Sequence, residues 1–275
     1  RIDPKTNGPS RASYFTGYTI RDMATGVDRD VTGLPENPRL GQIRFSPNGA
    51  HFAFSIREAD GLSLWVVAVA EGIASRLTAP HLNSVLGGTF TWFSDGKRLI
   101  CRLIPEDRSS LPTPAEVPVG PIVQENLEGT APSRTYQDLL KNPDDEVAFE
   151  YYGRSQLAVV SLDASIVKVG DPGLYVRSVP SPDGQYILVE TLHRPFSYLV
   201  PYYRFPVCVQ ILDTGGGLVR EIVDLPLAEN VPIAFDAVPV GPRAFEWRAD
   251  ANAEEIAVLR DMLSKLQGGE AVDSL

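Results

Sequence analysis

Apolar runs of strand length, each closed by a short polar turn, recur through most of this chain. Residues 51–56, 98–103 and 186–190 are such runs, and each follows a related phrase. The phrases are Phe45-Ser46-Pro47-Asn48-Gly49, Phe93-Ser94-Asp95-Gly96 and Val179-Pro180-Ser181-Pro182-Asp183-Gly184. Pro presets φ for a β-turn, Asp or Asn bonds its own backbone, and Gly accepts positive φ, so these phrases turn the chain and carry no chemistry. Measured from Ser46 to Ser94 and from Ser94 to Ser181, the repeat distances are 48 and 87 residues. The second is close to twice a propeller-blade period of roughly 40–50 residues.

Each copy is followed by a hairpin pattern. Residues 64–70 and 73–78 flank Glu71-Gly72, residues 156–162 and 165–169 flank Asp163-Ala164, and residues 207–212 and 218–222 flank a tip containing Gly215-Gly216-Gly217. Runs of this length bounded by Gly/Asp turns predict antiparallel strands. Residues 18–20 and 30–33 predict the end of an earlier blade, and Phe245-Glu246-Trp247-Arg248-Ala249-Asp250 stands where a further turn phrase should begin. The pattern predicts an all-β chain, a partial β-propeller of about four blade-equivalents over residues 1–250.

Two regions break the pattern. Residues 104–150 form a long insertion with five prolines between Pro105 and Pro121. Within it, residues 134–141 predict a short helix ending before Pro143, and Asn142 to Glu146 reads as a solvated acidic loop. The second region is residues 251–275, a predicted C-terminal α-helix. Asn252 and Glu255 make a capping-box-like start, Gly268-Gly269 ends it, and Ile256, Leu259, Leu263 and Leu266 form one apolar stripe. That stripe either packs on the propeller or docks on another protein.

Composition narrows the function classes. A net charge of −10 and a pI near 4.8, with no Lys/Arg run, argue against nucleic acid and anionic membranes as partners. No run approaches the ~18 consecutive apolar residues of a membrane span. The first residues lack the shape of a signal peptide. Cys101 and Cys208, both in apolar runs, read as two core thiols, which favours a reducing compartment.

Several longer strings carry a family resemblance. They include Arg134-Thr135-Tyr136-Gln137-Asp138-Leu139-Leu140-Lys141, Tyr151-Tyr152 with Ser155-Gln156-Leu157, and Leu192-His193-Arg194-Pro195-Phe196-Ser197. Val200-Pro201 with Arg204-Phe205-Pro206, Asp224-Leu225-Pro226-Leu227-Ala228-Glu229 and Trp247-Arg248-Ala249-Asp250 complete the set. Together they resemble the N-terminal propeller of the glutamyl endopeptidases of chloroplasts and their bacterial relatives. That family is similar to the prolyl oligopeptidases, serine peptidases with a propeller ahead of an α/β-hydrolase domain. The resemblance covers roughly residues 10–250. It implies part of a propeller without the hydrolase domain, and a plastid or, alternatively, a bacterial cytoplasm.

The catalytic inventory agrees with that implication. A hydrolase nucleophile sits in Gly-x-Ser-x-Gly, and no such string occurs here; Gly153-Arg154-Ser155-Gln156-Leu157 lacks the second Gly. The three histidines are His51, His81 and His193, the last read as structural. Residue spacings for zinc, for an EF-hand and for a phosphate loop are missing, so no metal and no cofactor is expected. A peptidase selective for acidic side chains needs a fixed cation, and Arg194 and Arg204 lie in the most family-specific segment, which makes them the candidate substrate residues. The expected function is a non-catalytic, propeller-derived structural or interaction subunit of a larger assembly. The alternative is a substrate-gating propeller portion serving a peptidase domain elsewhere. Both require a protein partner, because partial propellers leave strand edges open.

Overall fold

A computed structural model describes residues 2–111, 136, 138–231 and 241–248. Two small hairpins come first: β1 (Ile2–Asp3) with β2 (Gly8–Pro9), and β3 (Thr19–Arg21) with β4 (Asp28–Asp30). A four-stranded antiparallel sheet follows in simple meander order. It comprises β5 (Arg44–Phe45), β6 (His51–Arg57), β7 (Leu62–Ala68) and β8 (Ile73–Arg76). Next come β9 (Phe90–Trp92), β10 (Arg98–Leu103), the helix α1 (Pro143–Gly153), β11 (Ser155–Ser161) and the fifteen-residue β12 (Ile166–Pro180). The chain continues through β13 (Tyr186–Leu192), β14 (Val207–Asp213) and β15 (Leu218–Leu225).

Strands β9 to β15 form one curled seven-stranded sheet in sequence order. It is two blades joined by a common strand. Residues 166–173 of β12 pair with β11 as the outer strand of the second blade. Residues 174–180 pair with β13 as the inner strand of the third. Gly170, in the left-handed region at φ 56°, sits just inside the changeover, where Gly216 of the β14–β15 tip packs directly against it. A Cβ built on Gly216 would lie 1.9 Å from the Gly170 nitrogen.

The repeated phrases occupy the inner turn of each blade, as expected, but their alignment shifts by one residue. The backbone bonds Ser46 N→His51 O, Phe93 N→Arg98 O and Ser181 N→Tyr186 O are equivalent, as are the bonds from Gly49, Gly96 and Gly184 back to Ser46, Phe93 and Ser181. Ser46 therefore matches Phe93, not Ser94, and the true spacings are 47 and 88 residues. The second phrase lacks the proline, and the fully buried Phe93 stands there in the place of the equally buried Ser46 and Ser181. The three glycines have φ of 64° to 70°, which a residue with a Cβ reaches only with strain.

Burial explains the strand composition. One core lies between the first two blades, with Leu62, Leu64 and Val66 against Phe90, Trp92, Leu99 and Cys101. Another lies between the second and third, with Ile100, Leu157 and Val159 against Tyr175, Ile187 and Val189. Alternate residues of β10 thus face opposite blades, so the sheet is apolar on both sides, as a stacked internal sheet must be. The outer face of the first blade packs on Tyr18, Ile20, Val31 and Leu34. The far face of the third packs on Phe245 and Trp247.

Trp247 also repeats a blade contact. Trp92 Nε1 donates to the Arg44 carbonyl at 2.9 Å, and Trp247 Nε1 donates to the Val179 carbonyl at 2.9 Å. Arg44 and Val179 both stand two residues before their turn serine, so Trp247 meets the third blade as Trp92 meets the first. Among the described residues three four-stranded units are complete.

Three expectations need correction. Residues 138–141 are not helical; the helix of this region begins where one was expected to have ended, at Pro143. Proline is tolerated at the first helical position, where its missing N–H has no partner to lose. The acidic stretch after Asn142 is therefore the first turn of α1 and not a loop. Cys101 is a core thiol, but Cys208 is only half-buried and contacts Glu221 at 3.5 Å. The predicted C-terminal helix, with Ile256, Leu259, Leu263 and Leu266, lies outside the described residues. No helix among the described residues is long and apolar enough to cross a membrane.

Candidate functional site

Helix α1 and the segment after β13 bring together the polar groups of the family-like strings. Asn142 caps the helix, its side chain accepting from the Asp145 N–H at 2.9 Å. Asp144, Asp145 and Glu146 fill the first turn, where carboxylates complement the exposed N–H groups and the positive end of the dipole. Glu146 and Glu150, four residues apart, share one helix face. Both meet Arg194: its Nε and Nη2 donate to Glu150 at 2.9 Å each, and Nη1 donates to Glu146. The Arg194 guanidinium also lies over the Phe196 ring at 4.9 Å. Hydrogen bonds donated to both glutamates hold the Arg194 proton more tightly than usual. Tyr198 donates to Glu146 at 2.7 Å; burial first, then that bond, push its hydroxyl up to about 12.

Beneath this polar layer Phe149, Phe196 and Phe205 pack with ring centroids 5.2 to 5.7 Å apart. They join Leu86, Leu174, Leu192 and Val200 in a core that pins α1 to the ends of the blades. Next in the chain, His193 is held at both ring nitrogens, 2.7 Å from Asp224 Oδ1 and 2.7 Å from the Arg194 carbonyl. Partial burial pulls its pKa down, but the Asp224 bond and the carbonyl contact outweigh it, so the net shift is upward. Arg204 donates to the Val231 carbonyl at 2.6 Å and lies 5.9 Å from the Tyr136 ring.

The two candidate substrate arginines thus occupy different settings. Arg194 faces two carboxylates, while Arg204 anchors the backbone that leads out of the third blade. No serine–histidine pair forms here: Ser197 donates to Glu229, and His193 is engaged by Asp224. Among the described residues no group of three His, Cys, Asp or Glu could hold a metal ion.

Sequence reasoning passed over Arg102, which it counted only as part of a strand. Arg102 is 4% exposed on β10, and its Nη1 donates to the carbonyls of Leu86 at 3.1 Å and Tyr175 at 2.6 Å. Its Nε is buried with no partner. Burial pushes its pKa down to about 10, so it stays charged at neutral pH. The available signal was its place between Cys101 and Leu103 in a run otherwise built for a core. Elsewhere, an open groove of about 630 Å³ lies between residues 10–14 and the side chains of Arg39 and Arg57.

Comparison with known proteins gives two close sequence relatives. A protein of rice (Oryza sativa subsp. japonica) named "Probable glutamyl endopeptidase, chloroplastic" is 39% identical across 92% of this chain and 28% of its own length. Its counterpart of the same name in Arabidopsis thaliana is 40% identical across 98% of this chain and 29% of its own length. The chain therefore spans under a third of the curated relatives it matches. Among solved structures, Pyrococcus horikoshii acylaminoacyl peptidase has a TM-score of 0.44 at 15% identity, over 75% of this chain and 27% of that one. The β-propeller domain of the Trilobed protease from Pyrococcus furiosus has a TM-score of 0.39 at 12% identity, over 69% of this chain and 43% of that one. No family model matches.

Proposed function

We propose that this chain, similar over nearly its whole length to a segment of chloroplastic glutamyl endopeptidases, works as part of the propeller of such a peptidase. In this reading it admits or positions peptide for a hydrolase active site that these residues do not supply. The observation that carries it is the 39–40% identity across 92–98% of the chain. The missing Gly-x-Ser-x-Gly string and the engaged His193 support it, since neither offers a nucleophile with its base. The chloroplastic relatives favour a plastid as its compartment.

A second reading, a non-catalytic interaction subunit of a larger assembly, draws on the last strand of the third blade. Among the described residues β15 ends the sheet, and its Leu218 and Val219 are exposed, which suits association with another chain. One experiment separates the two. Native complexes containing this chain are isolated, labelled with a fluorophosphonate that marks active serine hydrolases, and assayed on a Glu-containing reporter peptide. The peptidase reading expects a labelled hydrolase polypeptide in the complex and cleavage of the reporter, with neither in the 275-residue chain alone. A complex with no labelled polypeptide and no cleavage would overturn it in favour of the interaction subunit.

A further inference from the structure

Arg102 carries a charge that no described residue balances. Two of its five N–H donors, both on Nη1, meet backbone carbonyls; Nε has no partner and Nη2 makes no hydrogen bond among the described residues. The Nε–H and the outer Nη2–H of a guanidinium point the same way and form the fork that grips two oxygens of one anion. Here Nε is sealed from solvent, so Nη2 is the unpartnered donor that a ligand could reach. A buried, unmatched charge costs several kcal/mol in general, so a site that keeps one is normally completed by something else.

The surroundings suit a ligand. Above the guanidinium lie Gly87 and Gly88, both exposed, so the charge is a single residue layer below the surface. A Cβ built on Gly88 would stand 3.9 Å from Arg102 Nη2 and 3.8 Å from Nη2 of Arg44. Arg44 belongs to the inner strand of the first blade and has no carboxylate within ion-pair distance among the described residues. Two cations from neighbouring blades therefore approach one point, where the missing side chain of Gly88 leaves a methyl-sized space.

We propose that Arg102 and Arg44 form an oxyanion-binding site at Gly87–Gly88, with Nη2 of each supplying a donor and a charge. Its ligand is a carboxylate or a phosphate group entering from the surface. The site stands whether or not the peptidase reading does, because it rests on these two side chains alone.

The test uses the 275-residue chain and two probes, followed by calorimetry and thermal unfolding. One probe is inorganic phosphate. The other is a short peptide with blocked ends and a single Glu, compared with its Gln counterpart. Binding of phosphate alone assigns the site to phosphate. Binding of the Glu peptide but not the Gln peptide assigns it to a side-chain carboxylate. Arg44→Gln, an exposed change that leaves the core untouched, should weaken either by about tenfold, the loss of one charge-assisted contact. Gly88→Asp would place a carboxylate in the gap; its Tm should exceed that of Gly88→Ala and its response to both probes should vanish. Binding of neither probe by the unmodified chain, or a lower Tm for Gly88→Asp than for Gly88→Ala, would overturn the proposal.

Discussion

Gly216 shows how one atom can decide a blade junction. Its φ of 91° lies in the left-handed region, and a Cβ there would collide with the backbone of Gly170, which has no room to yield. Gly216→Ala should therefore destabilise the fold by about 3 kcal/mol in urea unfolding, whereas Gly215→Ala, whose nearest contact is an Asp213 oxygen at 3.2 Å, should cost far less. His193 gives a pH-dependent prediction. Its folded pKa is raised, so its contribution is fully present below the ordinary imidazole value and fades as pH rises through the folded value. The stability difference between the parent chain and His193→Gln should accordingly shrink between pH 5 and pH 8; a difference that grows over that range would refute the assigned pairing with Asp224. Arg194 is half-exposed, and its ion pairs with Glu146 and Glu150 are expected to show coupling of no more than about 1 kcal/mol in a double-mutant cycle.

At the level of elements, the strands were largely legible in the sequence and the helix was not. The runs 51–56, 98–103 and 186–190 became β6, β10 and β13 because an internal sheet buried on both faces leaves a nearly unbroken apolar signature. Helix α1 left no such trace. Its stability comes from its cap, its acidic first turn and a core of aromatic residues supplied by a distant segment, none of which shows as periodicity. Asn142→Ala should cost about 1 kcal/mol, and the loss should appear first as weaker protection of the Asp145 amide in hydrogen exchange. The unseen Arg102 follows the same logic: its importance depends on Gly87, Gly88 and Arg44, which lie in other strands or turns. The two equivalent indole bonds could be read only once the blades were assembled. Trp92→Phe and Trp247→Phe should each lose about 1 kcal/mol, the ordinary value of one hydrogen bond.

On the scale of the whole molecule, stability resides between blades as much as within them. Ile100 is fully buried where the second blade meets the third. Ile100→Ala should cost about 2–4 kcal/mol, and limited proteolysis should then cut the third blade sooner than the first. The fold's outline followed from three short phrases, but both spacings were off by one until the hydrogen bonds replaced Ser94 with Phe93. The common strand β12 has a consequence for length variation. Between the first and second blades, residues 77–89 form an irregular connector that can absorb an inserted residue, leaving both sheets in place. Between the second and third no connector exists. A residue added within residues 177–180, where the pairing with β13 is regular, would turn the side chains that follow to the opposite face and slide that pairing. Apart from Gly170 and Gly216, where a single added atom is excluded, this junction should therefore tolerate changes of residue type far better than changes of length.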